Sequence, residues 1–217
     1  AFTMSLITIS RMYGSGGSEV AAAVARALEW QLVDNAFVDA VAERLGITSA
    51  EVEAREERVP TLVQRLAEAL ALSSPEILPP ATEASPPPSE DRIVAVTARI
   101  IEETVSRGHA VLVGRGAQSV LATRSDVIHV FCYAPRPALV ARAARRLGVP
   151  EREAERVVDD TNRQREQYVR KYWKRSWLAH DNYHLCLNTE WLGVEGAAEI
   201  VVRLARGRFG GGRTEVT

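Results

Sequence analysis

Residues 11–18, Arg-Met-Tyr-Gly-Ser-Gly-Gly-Ser, place three glycines and two serines directly after the β-branched run Leu6-Ile7-Thr8-Ile9-Ser10. A glycine loop that leaves a strand and opens a helix presents backbone N–H groups and the positive helix end, which together cradle phosphate. Gly14, Ser15, Gly16, Gly17 and Ser18 are therefore candidate phosphate-binding residues, and Ser18 stands where a hydroxyl would ligate Mg²⁺. Against the spacing Gly-x-x-x-x-Gly-Lys-Ser/Thr, the second glycine and the hydroxyl match, whereas the first glycine is Arg11 and the lysine is Gly17. A glycine-rich turn with no ligand is the competing reading; the position directly after the first strand favours phosphate.

Arginine is the other chemically informative residue type. Of 27 basic residues 25 are arginine, and the only lysines are Lys171 and Lys174. A lysine-dependent mechanism in the first 170 residues is thereby excluded. Much of this skew fits the base composition of a GC-rich genome. Arg115 lies between two glycines at the end of an apolar run, where a packing residue would be apolar. Residues 136–175 carry 12 basic and 6 acidic side chains, an excess of six in a chain of net charge −1. Arg142, Arg145, Arg163 and Arg165 fall on two helical patterns able to close over the strand ends. Planar guanidinium groups suit bidentate phosphate contacts, and phosphoryl transfer is catalysed chiefly by positioning and charge neutralisation. A solvated basic helix is the bland alternative.

The elements that must position these groups follow from periodicity. After the first strand and glycine loop, Val20, Val24, Ala27 and Leu28 recur at helical spacing, and Gln31 to Asp34 form a brief second strand. Helices follow over Phe37 to Leu45, from the capping box Thr48/Glu51, and around Leu62 to Leu70. Residues 73–89, with six prolines, read as an exposed mobile loop, and Ser89 to Gly108 as a long amphipathic helix. Ala110 to Val113 and Val127 to Tyr133 are continuous apolar runs, as expected of strands covered on both faces. Helices over Arg136 to Leu147 and Pro150 to Trp173, a strand over His184 to Thr189 and a final helix complete the order. The fold class is α/β: five parallel strands with helices on both faces, in three layers. In such sheets ligands bind at the carboxyl ends of the strands. The domain is expected to span 4–208, with a helical lid region at 136–178 and a disordered tail at 209–217.

Together these residues resemble the cytidylate kinase-like family, P-loop relatives of the nucleoside monophosphate kinases. The likeness rests on Ile7 to Gly17, Leu32-Val33-Asp34 and Val111 to Gly116, then on Asn162-Arg163-Gln164-Arg165 with Tyr168 and Tyr172, and on Tyr183 to Thr189 with Leu192-Gly193. The resemblance implies sheet order 2-3-1-4-5, ATP with Mg²⁺ on the glycine loop and a mobile arginine-bearing lid. It implies Asp34, Arg115 and Asn162 near the acceptor, and Arg142, Arg163 and Arg165 as lid arginines bridging both substrates. In phosphotransfer, Arg11 or a lid arginine would supply the charge of the absent lysine. Asn162 stands where many relatives carry an acid. The expected activity is ATP-dependent phosphotransfer to a nucleotide, CMP or dCMP foremost. The alternatives are a kinase of another small molecule and a non-catalytic nucleotide-binding regulatory protein.

The remaining features point to structural roles. Cys132 and Cys186 lack metal-site spacing and read as buried free thiols, and the four histidines show no metal pattern. Trp177 and Trp191 read as packing residues. Tyr168, Tyr172 and Trp173 interleave with basic residues in a way that could stack bases, but the near-neutral overall charge argues against nucleic acid. No apolar stretch is long enough to span a membrane and no leader is apparent, so a cytoplasmic location is expected, with Met4 as the native start.

Overall fold

The computed structural model describes residues 5–34, most of 95–114, and 116–210. The helices expected between Phe37 and Leu70, the proline-rich loop 73–89, Arg115 and the tail from 211 lie outside the described residues. The order of elements is β1 (Leu6–Arg11), α1 (Gly17–Leu28), β2 (Gln31–Val33), β3 (Ala110–Val113), α2 (Ala117–Val120), β4 (Val127–Tyr133), α3 (Arg136–Leu147), α4 (Glu151–Trp173), a 3-10 turn (His180–Asn182), β5 (Leu185–Asn188) and α5 (Thr189–Phe209). The described residues of the 89–108 segment are helical up to Val105, apart from unplaced positions.

The five strands form one parallel sheet in the order β2-β3-β1-β4-β5, the order expected from the resemblance. β1 is central, with Ile9 beside Val113 on one side and Val130 on the other. A strand in that position has no solvated face, which explains why Leu6, Ile7 and Ile9 are wholly buried and why its sequence does not alternate. Val111, Val113, Val130 and Leu187 pack from one face of the sheet against Val20, Val24, Ala197 and Val201 of α1 and α5. The other face carries a second cluster, in which Leu6, Leu112 and Val127 meet Ile101 and Val105. Each such fully buried aliphatic side chain contributes roughly 1.5–3 kcal/mol.

α1 is alanine-rich, opens after Gly16 and closes on Glu29, whose backbone is left-handed (φ 57°) and donates to the carbonyls of Ala25 and Arg26. α3 and α4 share their own small core of Leu139, Val140, Ala143, Ala154 and Val158. This core brings the arginine-bearing helices together beside the strand ends.

Three expectations are corrected. Cys186 is exposed, because it lies on the edge strand β5, whereas Cys132 is buried on β4. Trp191 is 84% exposed rather than packed, because it sits in the first turn of α5, before the non-helical Gly193. Helix α5 runs to Phe209, the first residue of the segment expected as a disordered tail, and the Phe209 ring meets Trp30 at 6.0 Å. No described helix is long and apolar enough to cross a membrane.

Candidate phosphate-transfer site

The glycine loop is held from three directions. Met12 donates its N–H to Cys132 O (2.9 Å) and Ser15 donates to Met12 O (3.2 Å). Gly14 (φ 80°) presses against the Leu139 backbone of α3, leaving no space for a side chain. Ser15 is fully buried; its Oγ accepts the Gly17 N–H at 3.3 Å. Its carbonyl accepts the Thr189 hydroxyl at 2.5 Å and an Arg142 Nη1 at 3.3 Å. Gly16 (φ 77°) then opens α1 with no side-chain cap. Beyond the Gly17 N–H, which Ser15 takes, the first turn and the positive helix end can thus face an anion.

A cleft of about 470 Å³ lies over this loop. Gly14, Gly16, Gly17 and Ser18 form its floor, and Arg11, Arg142, Arg145, Arg146 and Arg165 line it, against one acid, Glu19. Two of these arginines share Tyr13. Arg146 lies 4.9 Å from the ring centroid and donates to the hydroxyl (3.3 Å), and Arg165 lies 6.0 Å from the same ring. Stacking on an aromatic face holds a guanidinium without consuming its edge donors.

A second cavity of about 60 Å³ adjoins the ends of β1 and β3, between Gly114, Gly116, Ser119, Tyr168 and Trp177. Arg11 and Arg165 line both cavities, and Arg165 Nη1 donates to Arg11 O at 2.8 Å. Tyr183, also in its wall, donates its hydroxyl to Trp177 O at 2.7 Å, and burial pushes its pKa up to about 12. It therefore stays neutral at physiological pH. Burial likewise drives the Cys132 thiol up to about 12, which removes it as a nucleophile.

Of the residues singled out in the sequence, the structure brings together the glycine loop, Arg11, Arg142, Arg145 and Arg165. Arg142 is also engaged with the protein itself, donating to Thr189 O (3.2 Å) and pairing with Glu190 at 2.7 Å. Asn162 accepts the Tyr13 N–H at 2.8 Å from the loop side. Arg163 is separate: its side chain is 64% exposed, pairs with Asp160 at 3.1 Å and lines neither cavity. Asp34 follows β2 at the same edge of the sheet and lines neither cavity. Arg146 was not singled out in the sequence, whereas Tyr13 and Thr189 lie in segments that the sequence marked but to which it gave no role of their own. The position of Tyr13 inside the loop motif and of Thr189 directly after the last strand were the available signals. Among the described residues no group of three or more His, Cys, Asp or Glu side chains could hold a metal.

A parallel sheet of order 2-3-1-4-5 with a glycine loop between β1 and α1 and an arginine-lined cleft above it defines a P-loop kinase fold. The chain belongs to the cytidylate kinase-like family, which it matches over residues 6–191. No curated protein matches it. Among solved structures, an uncharacterized protein from Eubacterium ventriosum is 19% identical with a TM-score of 0.67, covering 93% of this chain and 98% of that one. Shikimate kinase from Bacteroides thetaiotaomicron is 14% identical with a TM-score of 0.54 over 93% and 98%. TT1252 from Thermus thermophilus is 21% identical with a TM-score of 0.51 over 95% and 98%. At these identities the likeness concerns the fold.

Proposed function

We propose that the protein is an ATP-dependent phosphotransferase that passes the γ-phosphoryl group to a small acceptor, with CMP or dCMP the first candidates. The observation that carries this reading is the cleft over the glycine loop, lined by five arginines, of which Arg142 pairs with Glu190, and by the carboxylate of Glu19. Such a surface suits a polyphosphate and the charge that spreads over the equatorial oxygens during transfer. Gly14 to Ser18 would hold the donor phosphates. Arg11 and Arg165, at the boundary of the two cavities, would meet the transferring group, and Arg142 would keep the loop in register. Arg163 would have to leave Asp160 to take part. On the acceptor side we assign Arg115 and Asp34 from their positions after β3 and β2.

Mg²⁺, which the family implies, takes hard oxygen ligands and retains phosphate oxygens and waters. The Ser18 hydroxyl at the cleft floor and the adjacent Glu19 carboxylate are donors of that kind, so the residues fit the ion. Bound there, it would neutralise charge on the donor phosphates. The cytoplasm, where ATP is available, is the proposed setting.

The polar lining of the second cavity, with Ser10, Gln118, Ser119 and Tyr168, supports a second reading, a smaller hydroxyl or phosphate compound as acceptor. Purified protein tested for ATP consumption against nucleoside monophosphates and a metabolite panel separates the two. Turnover with CMP or dCMP supports the first and turnover with another acceptor the second. ATP binding by calorimetry with no turnover of any acceptor would instead make the protein a nucleotide-binding regulator.

A further inference from the structure

Gly17 occupies a helical position, and no left-handed backbone requires glycine there. The requirement is steric. A Cβ at position 17 would stand well inside 3.0 Å of Arg11 Cβ, 3.0 Å from Arg11 Cγ and 3.1 Å from Cys132 Cβ. The nearest of these atoms is a Cβ, fixed by its own backbone, so no change of rotamer relieves the contact. Farther along the same side chain, a Cβ on Gly114 (φ 69°) would collide with Arg11 Nη1 and lie 3.2 Å from Cζ. The Arg11 side chain therefore runs from the end of β1 across the first residue of α1 to the turn after β3. Its guanidinium ends between the two cavities, both of which it lines.

We infer that Arg11 and Gly17 are one coupled exchange: the cation of the phosphate loop has moved from position 17 to position 11, and glycine stands at 17 because the Arg11 stem fills its niche. The loop spacing Gly-x-x-x-x-Gly-Lys has glycine first and lysine seventh, and this chain has arginine first and glycine seventh. With a Cβ at 11 there is no room for one at 17, so the two arrangements exclude each other. The absent lysine is thus a relocated charge. Arginine at 11 keeps a permanent charge and a planar fork, and its reach to Gly114 lets it act on donor and acceptor together. This assignment of a catalytic role rests on the proposed phosphotransfer, whereas the steric coupling does not.

The test has two arms. In the first, thermal unfolding is measured for Gly17→Ala, Arg11→Gly and the pair. Gly17→Ala alone is expected to lower Tm by several degrees, and Arg11→Gly/Gly17→Ala to recover most of that loss; additive shifts would overturn the coupling. In the second arm, MgATP affinity and ATP consumption are measured for Arg11→Gly, for Arg11→Gly/Gly17→Lys, which recreates Gly-x-x-x-x-Gly-Lys-Ser, and for Arg11→Ala/Gly17→Lys, which keeps the obstructing Cβ. Arg11→Gly is expected to lose about 100-fold in kcat/KM, the scale of removing one charge-stabilising donor. The glycine pair should regain at least about tenfold of that loss, and the alanine pair should not. Undiminished activity of Arg11→Gly, or equal behaviour of the two pairs when both fold, overturns the relocation. If wild type consumes ATP with no acceptor, the proposed function fails, while MgATP affinity and the melting cycle still decide the exchange.

Discussion

The side-chain oxygen of Asn162, midway along α4, accepts the backbone N–H of Tyr13 in the glycine loop at 2.8 Å. A long helix is thereby tied to the loop by a side-chain amide. Asn162→Ala leaves this partly buried donor unpaired and is expected to cost about 1 kcal/mol and to raise KM for ATP. Asn162→Asp retains an acceptor and should lie within about 0.5 kcal/mol of wild type. Chemical denaturation and ATP kinetics of both variants check this; equal losses would show that the hydrogen bond is not what the position supplies.

Thr189 joins the last strand to the loop. Its hydroxyl is fully buried, lies 2.5 Å from Ser15 O and 3.1 Å from Tyr133 O, and accepts from Arg142 at 3.2 Å. Thr189→Val has nearly the same shape but removes both roles, so the expected cost is about 1–3 kcal/mol. In a chain of this size that lowers Tm by about 2–4 °C for each kcal/mol. Thr189→Ser keeps the hydroxyl and should recover part of the difference. A valine variant that melts with wild type would remove Thr189 from the account of the loop.

Gly116 combines a left-handed backbone (φ 71°) with the Trp173 ring lying against the space a Cβ would occupy. Gly116→Ala is expected to destabilise through both effects. Replacing Trp173 by alanine removes the ring but leaves the backbone strain. The Gly116→Ala penalty should therefore be smaller in a Trp173→Ala background than in wild type, though not zero. Urea titration of the four forms measures this, and an undiminished penalty would mean the ring contact contributes nothing.

His129 sets a pH dependence. It is buried on β4, shares a 2.7 Å hydrogen bond between Nδ1 and Thr8 Oγ1, and stacks on His184 at 5.2 Å. Burial first, then the charges of His184 and Arg175, push its pKa down to about 4. The unfolded chain therefore binds this proton at higher pH than the folded one does. The stability from this group is complete above the unfolded value near 6.5 and is lost as pH falls toward 4. Melting curves should show Tm falling across that window, and His129→Gln should flatten the fall. Identical slopes in the two proteins would assign the acid sensitivity elsewhere.

The strands were legible because burial on both faces writes itself as apolar runs, as in Val111 to Val113 and in Val127 to Cys132, which only His129 interrupts. The glycine loop was legible because its conformational demands restrict residue type, as the positive φ of Gly14 and Gly16 shows. The four-residue α2 was not, since one turn carries no periodicity. Nor were the ties made by Tyr13, Asn162 and Thr189, which span 149 and 174 positions of sequence. Such contacts depend on how α4 and β5 meet the loop, and no local pattern encodes that meeting. Trp191 and Cys186 were misjudged for a related reason: composition predicts average burial, while a helix start and a sheet edge decide the particular case.

Helix α4 ends in a turn holding every side-chain amine of the chain. Lys171 lies 4.8 Å from the Tyr172 ring centroid, and Lys174 donates to Lys171 O at 3.0 Å. Amine-directed labels and cross-linkers that spare the amino terminus will therefore attach at one place, beside the Trp173 ring that covers Gly116. A lysine-specific protease acting there would part β1 to β4 from β5 and α5, cutting the covalent link between Ser15 and Thr189 while their hydrogen bond still joins the pieces.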